Sequence, residues 1–515
     1  MPPTPEDDAP TSEFAVPEGL LTSPPQEQSS AFTPPEGVPQ VSLVKPGGPW
    51  QDRMRAMIRM PLVERPQPER AQRGDDADSG PAVPRVLDLT LRIGELLLAG
   101  GEGAEDVEAA MYGVAHAYGL NNTEPTVTFT LLNITHQPSL VDDPVTVGRT
   151  VRRRGTDYTR LAAVFRLVDD ITKGDVSLEE AYRTLAEIRR NRHPYPTWAL
   201  TVASGTLSGA ASLLVGGGAL VFVLALIGAV LGDRLAWLCS GRGLPEFYQF
   251  IAAAMPPAAI GVAVALIKIG PDTETQAAAV ITGGLFALIP GRALVAAVHD
   301  GLTGFYITAA ARLLEVVYLI VGIVCGVLLV LYVGSKLGAE LNPDDIQRLE
   351  RPWTQLFAAM LLALSFCVML QQEKATVLFA TLNGGVAWLV YGAMTMHAAN
   401  GTGGIPPVPA TVTAAGLVGL FGQLLSRYQF VSSMPYITAA IGPLLPGSAT
   451  YFGLLNIAQG DMNNGVRHLS EAAAIALGIA IGVNLGGELA RLFIKSPGVE
   501  TPLPGRRAAK RTRGF

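Results

Sequence analysis

Two short segments of this chain set proline, glycine and ionisable side chains into otherwise apolar sequence. The first runs from Pro290 and Gly291 through His299, Asp300 and Arg312 to Glu315; the second runs from Pro446 and Gly447 through Asn456, Arg467 and His468 to Glu471. Proline removes a backbone donor and glycine lets the chain unwind. Each pair therefore breaks a helix and leaves N–H and C=O groups that can hold a zwitterion. An acidic side chain beyond each break can bind an ammonium group or exchange a proton. Thr282 and Thr438, one to two turns ahead of the breaks, offer hydroxyl donors. Two plainer readings stay open. Arg312 and Glu315 are i,i+3 partners able to neutralise each other, and each threonine hydroxyl can bond its own helix backbone.

The elements that carry these residues are membrane spans. The chain has 515 residues, 49% of them hydrophobic and only 16% charged, against about 25% charged in soluble proteins. Mean hydropathy is +0.32. Residues 1–193 hold 49 of the 82 Asp, Glu, Lys and Arg side chains, so a polar front precedes an apolar rear. A charge inside a span costs at least about 2.5 kcal/mol on insertion scales and so usually has a purpose. Cys239, Cys325 and Cys367 all lie in apolar stretches, which argues against a disulfide framework and a thiol-metal site. A net charge of −6 offers no basic surface for nucleic acid.

Tyr195–Gly232 is uncharged and too long for one span of about 20 residues. Gly216, Gly217 and Gly218 divide it into two helices. Further spans are read at 246–268, 276–297, 313–335, 354–371, 375–395, 407–425, 432–455 and 469–490, ten in all. The two sets of five, within 195–335 and 351–490, are related by a constant offset of 156 residues. Pro290/Pro446, Gly291/Gly447, Gly304/Gly460, Glu315/Glu471, Gly322/Gly478 and Gly326/Gly482 coincide, while Asp300 meets Asn456 and Arg312 meets His468. Five helices per copy force the second copy in upside down, the arrangement of secondary transporters that bind substrate where helices break. Arg189, Arg190 and Arg192 precede the first span, and a basic tail over 491–515 follows the last. Both termini are thus expected in the cytoplasm.

Residues 1–84 carry 17 prolines and read as a disordered leader. Within it, residues 50–65 (WQDRMRAMIRMPLVER) can form a basic amphipathic helix on an anionic membrane surface, or a transient helix. Residues 86–193 read as a small α/β domain. Helices are expected at 87–98, 104–118, 157–172 and 177–190, a strand at Thr126–Leu132 and a partner strand at Val145–Arg152. Glu102, Glu105, Asp106 and Glu108 suit the positive end of the second helix. Because Gly100–Gly103 follows a helix, it does not read as a nucleotide loop. No nucleophile elbow, zinc helix or phosphate loop is present.

Gly94–Glu108 (GELLLAGGEGAEDVE), Asp157–Leu161 (DYTRL), Ser177–Ala181 (SLEEA) and Pro290-Gly291 with His299-Asp300-Gly301 resemble the bacterial threonine/serine exporter family across residues 86–495. The resemblance implies a plasma-membrane exporter of L-threonine and L-serine driven by the proton-motive force. The fold it implies is a small α/β domain followed by ten transmembrane helices. Its partners are an amino acid, protons and the bilayer, with no cofactor; homo-oligomerisation stays open. Split relatives are linked to dicarboxylate export, which keeps a succinate-type substrate as the alternative. A membrane-anchored hydrolase built on residues 86–193 is the rival of another class.

Overall fold

The computed structural model describes residues 50–58, 83–139, 141–152, 155, 157–190, 194–267, 273–339, 352–395, 404–429 and 432–493. The rest of the leader, the loop around Asn342 and the basic tail beyond 493 lie outside these.

Apolar residues at helical spacing build the front domain. Helix α2 (Val83–Ala99) buries Val86, Leu87, Leu91, Ile93, Leu97 and Leu98, and α3 (Ala104–Ala117) lies against it. Gly94 permits that approach, since a Cβ there would sit 2.8 Å from Met111 Sδ. Helices α4 (Tyr158–Lys173) and α5 (Leu178–Arg190) complete the helical layer. Asp157 caps α4 by accepting from Arg160 N–H, and Gly174 ends it in the left-handed region at φ 85°.

The sheet has three antiparallel strands in the order β1 (Thr123–Thr128), β2 (Leu131–His136), β3 (Val145–Thr150). This corrects the single strand expected over Thr126–Leu132. That segment is a hairpin turned at Phe129-Thr130, and the partner of 145–150 is its second arm. The turn lacks the usual Asn-Gly signal. Phe129 adopts a positive φ of 48° and donates its N–H to Thr308 Oγ1 of a membrane helix at 3.1 Å.

Of the segment read as either a surface-lying or a transient helix, residues 50–58 are described. Helix α1 (Trp50–Ile58) packs into the front domain, with Trp50, Met54 and Met57 buried and Met54 seated on Gly113 of α3. Its Arg55 pairs with Asp106 rather than with lipid headgroups. The same stripe that suits a lipid surface also suits a protein core, where these three large side chains are buried.

Behind this domain come α6 (Thr197–Leu214), α7 (Ala219–Gly241), α8 (Glu246–Ile267), α9 (Thr273–Leu285), α10 (Gly291–Leu302) and α11 (Tyr306–Lys336). Next follow α12 (Pro352–Met369), α13 (Lys374–Thr395), α14 (Pro407–Gln429), α15 (Met434–Ala440), α16 (Gly447–Ala458) and α17 (Met462–Phe493). Among the described residues seven helices are long and apolar enough to cross a membrane, and the pair α9/α10, bent by 56°, makes an eighth. Helix occupies every window read from the sequence. Two windows fall outside that count: α6 is laden with Ser and Thr, and neither α15 nor α16 alone has the length. The fifth and tenth helices begin at 306 and 462, earlier than expected, which places Arg312 inside α11.

Glycines draw these helices together, as small residues do where lipid offers no hydrophobic drive. Gly416 and Gly419 of α14 meet the backbone of α17 at Val483 and Gly486. Helices α6 and α12 run antiparallel: Tyr195 OH donates to Gln372 C=O at 3.1 Å near one end, and Thr206 meets Ser365 at 2.9 Å further along.

Candidate functional site

The two breaks have the same backbone geometry. Helix α9 tightens into a 3-10 turn at Phe286–Leu288, Ile289 is extended, and Pro290 (φ −79°, ψ 51°) centres an inverse γ-turn closed by Gly291 N–H to Ile289 C=O at 2.8 Å. Helix α15 tightens at Gly442–Leu444. Pro446 (φ −80°, ψ 52°) centres the same turn, closed by Gly447 N–H to Leu445 C=O at 2.8 Å. The breaks also cross each other. A Cβ on Gly291 would lie 2.8 Å from Leu445 Cδ2, and one on Gly447 3.0 Å from Phe286 Cδ2. Pro290, Gly291, Pro446 and Gly447 therefore meet at one place.

On one side of this crossing lies a cavity of about 590 Å³. Its walls include Thr282, Pro446, Gly447, Ser448, Arg467, His468 and Glu471. Thr282 is buried, and its hydroxyl has no hydrogen-bond partner among the described residues. Gly447, Ser448 and Ala449 form the N-terminus of α16, whose first N–H groups have no partner within the helix. Glu471 is 43% exposed, with His468 Nδ1 at 3.9 Å. Glu315, its counterpart, is not on the wall of this cavity.

The other side faces the front domain. Gln355 of α12, Thr411 of α14 and Ile475 of α17 line the large cavity. Towards the opposite ends of the same helices, Leu370 C=O accepts from Tyr158 N–H at 3.0 Å, Arg427 binds Asp52 at 2.7 Å, and Glu488 lines a space under the front domain. Thr438 belongs to this side and meets Tyr158 OH at 3.2 Å. Thus Thr282 and Thr438, equivalent in sequence, serve opposite faces.

Asp300 and Arg312 form the centre of the docking contact. Their side chains are 0% and 6% exposed and lie 2.8 Å apart. Asp300 Oδ1 accepts from Ala104 N–H at 2.9 Å, so a membrane residue caps front-domain helix α3, whose own N-cap, Gly103, supplies no side chain. Arg312 donates to Glu102 C=O at 3.1 Å. In the second copy Asn456 turns inward, donating to Phe452 C=O at 3.0 Å, and His468 faces the large cavity. The charge pair is therefore present only where a front domain exists to complete it. Glu102 is not a dipole acid of α3. It sits in the Gly100–Gly103 loop, 2% exposed, with its carboxylate bonded by the Ser432 hydroxyl. Burial, reinforced by Asp106, pushes its carboxyl up to about 8, against the opposing pull of Ser432, Arg55 and Arg312. Nothing in the spacing of residues pairs Glu102 with Ser432 or Tyr158 with Thr438, because each pair is separated by about 300 residues.

A pH dependence follows. The docked state binds Glu102's proton more tightly than the ordinary value of 4.5 implies. Its contribution to docking is therefore complete below pH 4.5 and is lost as the pH rises through about 8. Hydrogen exchange at Ala104 N–H, corrected for intrinsic rate, is expected to lose protection across that window and to flatten in Glu102→Gln. Equal pH profiles in the two chains would contradict this.

A multi-pass membrane protein with paired broken helices over a polar cavity is the architecture of a transporter. The profile "Putative threonine/serine exporter" matches residues 88–334, and "Threonine/Serine exporter, ThrE" matches 355–487. A Mycobacterium tuberculosis protein named "Probable threonine/serine exporter" is 34% identical over 79% of this chain and 76% of its own. The "Threonine/serine exporter" of Corynebacterium glutamicum is 29% identical over 80% of this chain and 84% of its own. No solved structure matches. The chain belongs to the threonine/serine exporter family.

Proposed function

We propose that this chain exports L-threonine and L-serine across the plasma membrane in exchange for protons, through ten spans arranged as two inverted five-helix repeats. The crossing of the two breaks beside the polar cavity carries this reading. A zwitterion there finds the N-terminus of α16 for its carboxylate, Glu471 for its ammonium group and the unpartnered Thr282 hydroxyl for its own hydroxyl. A dicarboxylate would need two cations and no acid; Arg467 and His468 are present, but so is Glu471. Inversion is supported by α6 and α12, equivalent at the 156-residue offset and antiparallel in space.

Only the second-copy acid reaches the cavity, so the two acids are expected to separate. Glu471→Gln should lower pH-gradient-driven efflux of labelled threonine about tenfold, corresponding to ~1.4 kcal/mol. Glu315→Gln should leave at least half of it. Equal effects of the two substitutions would remove Glu471 from the site.

The front domain gates from the cytoplasm, where both tails lie. An impermeant thiol reagent should label a cysteine placed at Asn342 in intact cells but not one at Gly505. Labelling of both would leave an odd number of spans and overturn the five-plus-five inversion.

A further inference from the structure

Beneath the front domain, on the face opposite the large cavity, lies a second and smaller cavity of about 100 Å³, room for several waters. Front-domain residues of α1, the Glu102 loop, α3 and α4 wall it from one side, and α10, the start of α15 and the near ends of α14 and α17 from the other. Asp52, Asp106, Asp169 and Glu488 supply carboxylates, Glu102 a carboxyl that burial keeps protonated, and Arg55 and Arg427 supply guanidinium groups, Arg55 paired with Asp106 and Arg427 with Asp52. Arg427 is 9% exposed and spends one Nη on Asp52, while its buried Nε–H has no hydrogen-bond partner among the described residues. A buried donor of a charged group without an acceptor is costly, and a carboxylate would satisfy it.

We propose that this cavity is a second amino-acid site, loaded from the cytoplasm before the crossing opens. The α-carboxylate would accept from the Arg427 Nε–H and the ammonium group would face the Asp106 carboxylate. The proposal rests on the amino-acid reading above and adds a binding position to it. Val295 and Ile437, which line this cavity, belong to the same apolar cluster as Leu444, which lines the large one. A molecule held here is thus separated from the transport cavity by a packed layer. The two sites are distinct in the state described. Its volume suits one small amino acid and leaves no room for a peptide.

The test uses the full chain, reconstituted in lipid, with the three native cysteines replaced by serine. Ser433→Cys reports on this cavity and Ser448→Cys on the large one, each by the rate of maleimide alkylation. L-Threonine is expected to slow alkylation at both positions at least threefold, whereas succinate should slow neither. Adding Arg427→Gln should abolish protection at Ser433→Cys and leave it at Ser448→Cys. Arg427→Lys, which keeps the charge towards Asp52 but lacks the Nε–H, guards against a folding artefact and should weaken protection at the same position. Protection at Ser448→Cys alone would overturn the second site and leave the transport reading standing. Protection at neither position would overturn both. Protection at Ser433→Cys that survives Arg427→Gln would overturn the assignment of the carboxylate.

Discussion

Asp300→Asn, alone, is expected to destabilise the docked front domain by about 3–5 kcal/mol, because it leaves the Arg312 charge buried without its partner. Arg312→His is expected to cost a similar amount by stranding Asp300. The second repeat suggests the rescue. Asn456 and His468 occupy the equivalent positions there without an ion pair between them, so Asp300→Asn combined with Arg312→His should cost less than the sum of the singles. A coupling of roughly 1–3 kcal/mol is expected. Thermal unfolding of the purified chain measures the cost, and hydrogen exchange at the start of α3 reports whether the domain has lifted. Additive single effects would mean that the pair does not hold the domain down. The same contact explains why removal of residues 86–193 should impair assembly or efflux: it would expose Asp300, Arg312 and Thr308 together.

The crossing of the breaks predicts the largest loss of transport. At Gly291 and Gly447 a Cβ alone would press on Leu445 and Phe286, at 2.8 and 3.0 Å. A branched side chain goes further, and overpacking of this kind costs typically about 1–3 kcal/mol. Gly291→Val and Gly447→Val should each lower threonine efflux at least tenfold with protein level near normal, because the strain falls on the crossing of the two breaks. Gly241→Val, where nothing lies within 4 Å of a Cβ, is the control and should leave efflux unchanged. If all three behaved alike, the crossing would be a passive packing contact.

Much of this could be read from residue spacing because it depends on local chemistry. Proline and glycine at 290 and 291 and again at 446 and 447 dictate breaks wherever they sit, and the helices are interrupted at both places. The glycine turn at 216–218 is equally local. What could not be read depends on distant partners. Phe129 turns a hairpin with the support of Thr308, 179 residues away. The stripe of Trp50, Met54 and Met57 was visible, but nothing in nine residues tells a protein core from a lipid surface. At the site, sequence brought forward Thr282 and Glu471, which line the large cavity. It paired Thr438 with Thr282 and Glu315 with Glu471 as if equivalent, whereas Thr438 turns to the front domain and Glu315 lies off the cavity wall. Glu102 looks like a helix-dipole acid in the sequence, and its bond to Ser432, 330 residues away, is visible only in the fold.

The most direct measurement of the central claim is transport by the purified chain in proteoliposomes whose interior is more acidic than the medium. Proton exit should drive labelled L-threonine inward against its gradient. A protonophore should collapse the accumulation, L-serine should compete with it, succinate should not, and Glu471→Gln should remove most of it. Accumulation of succinate in place of threonine, or threonine uptake that is indifferent to the pH gradient, would contradict a proton-coupled amino-acid exporter.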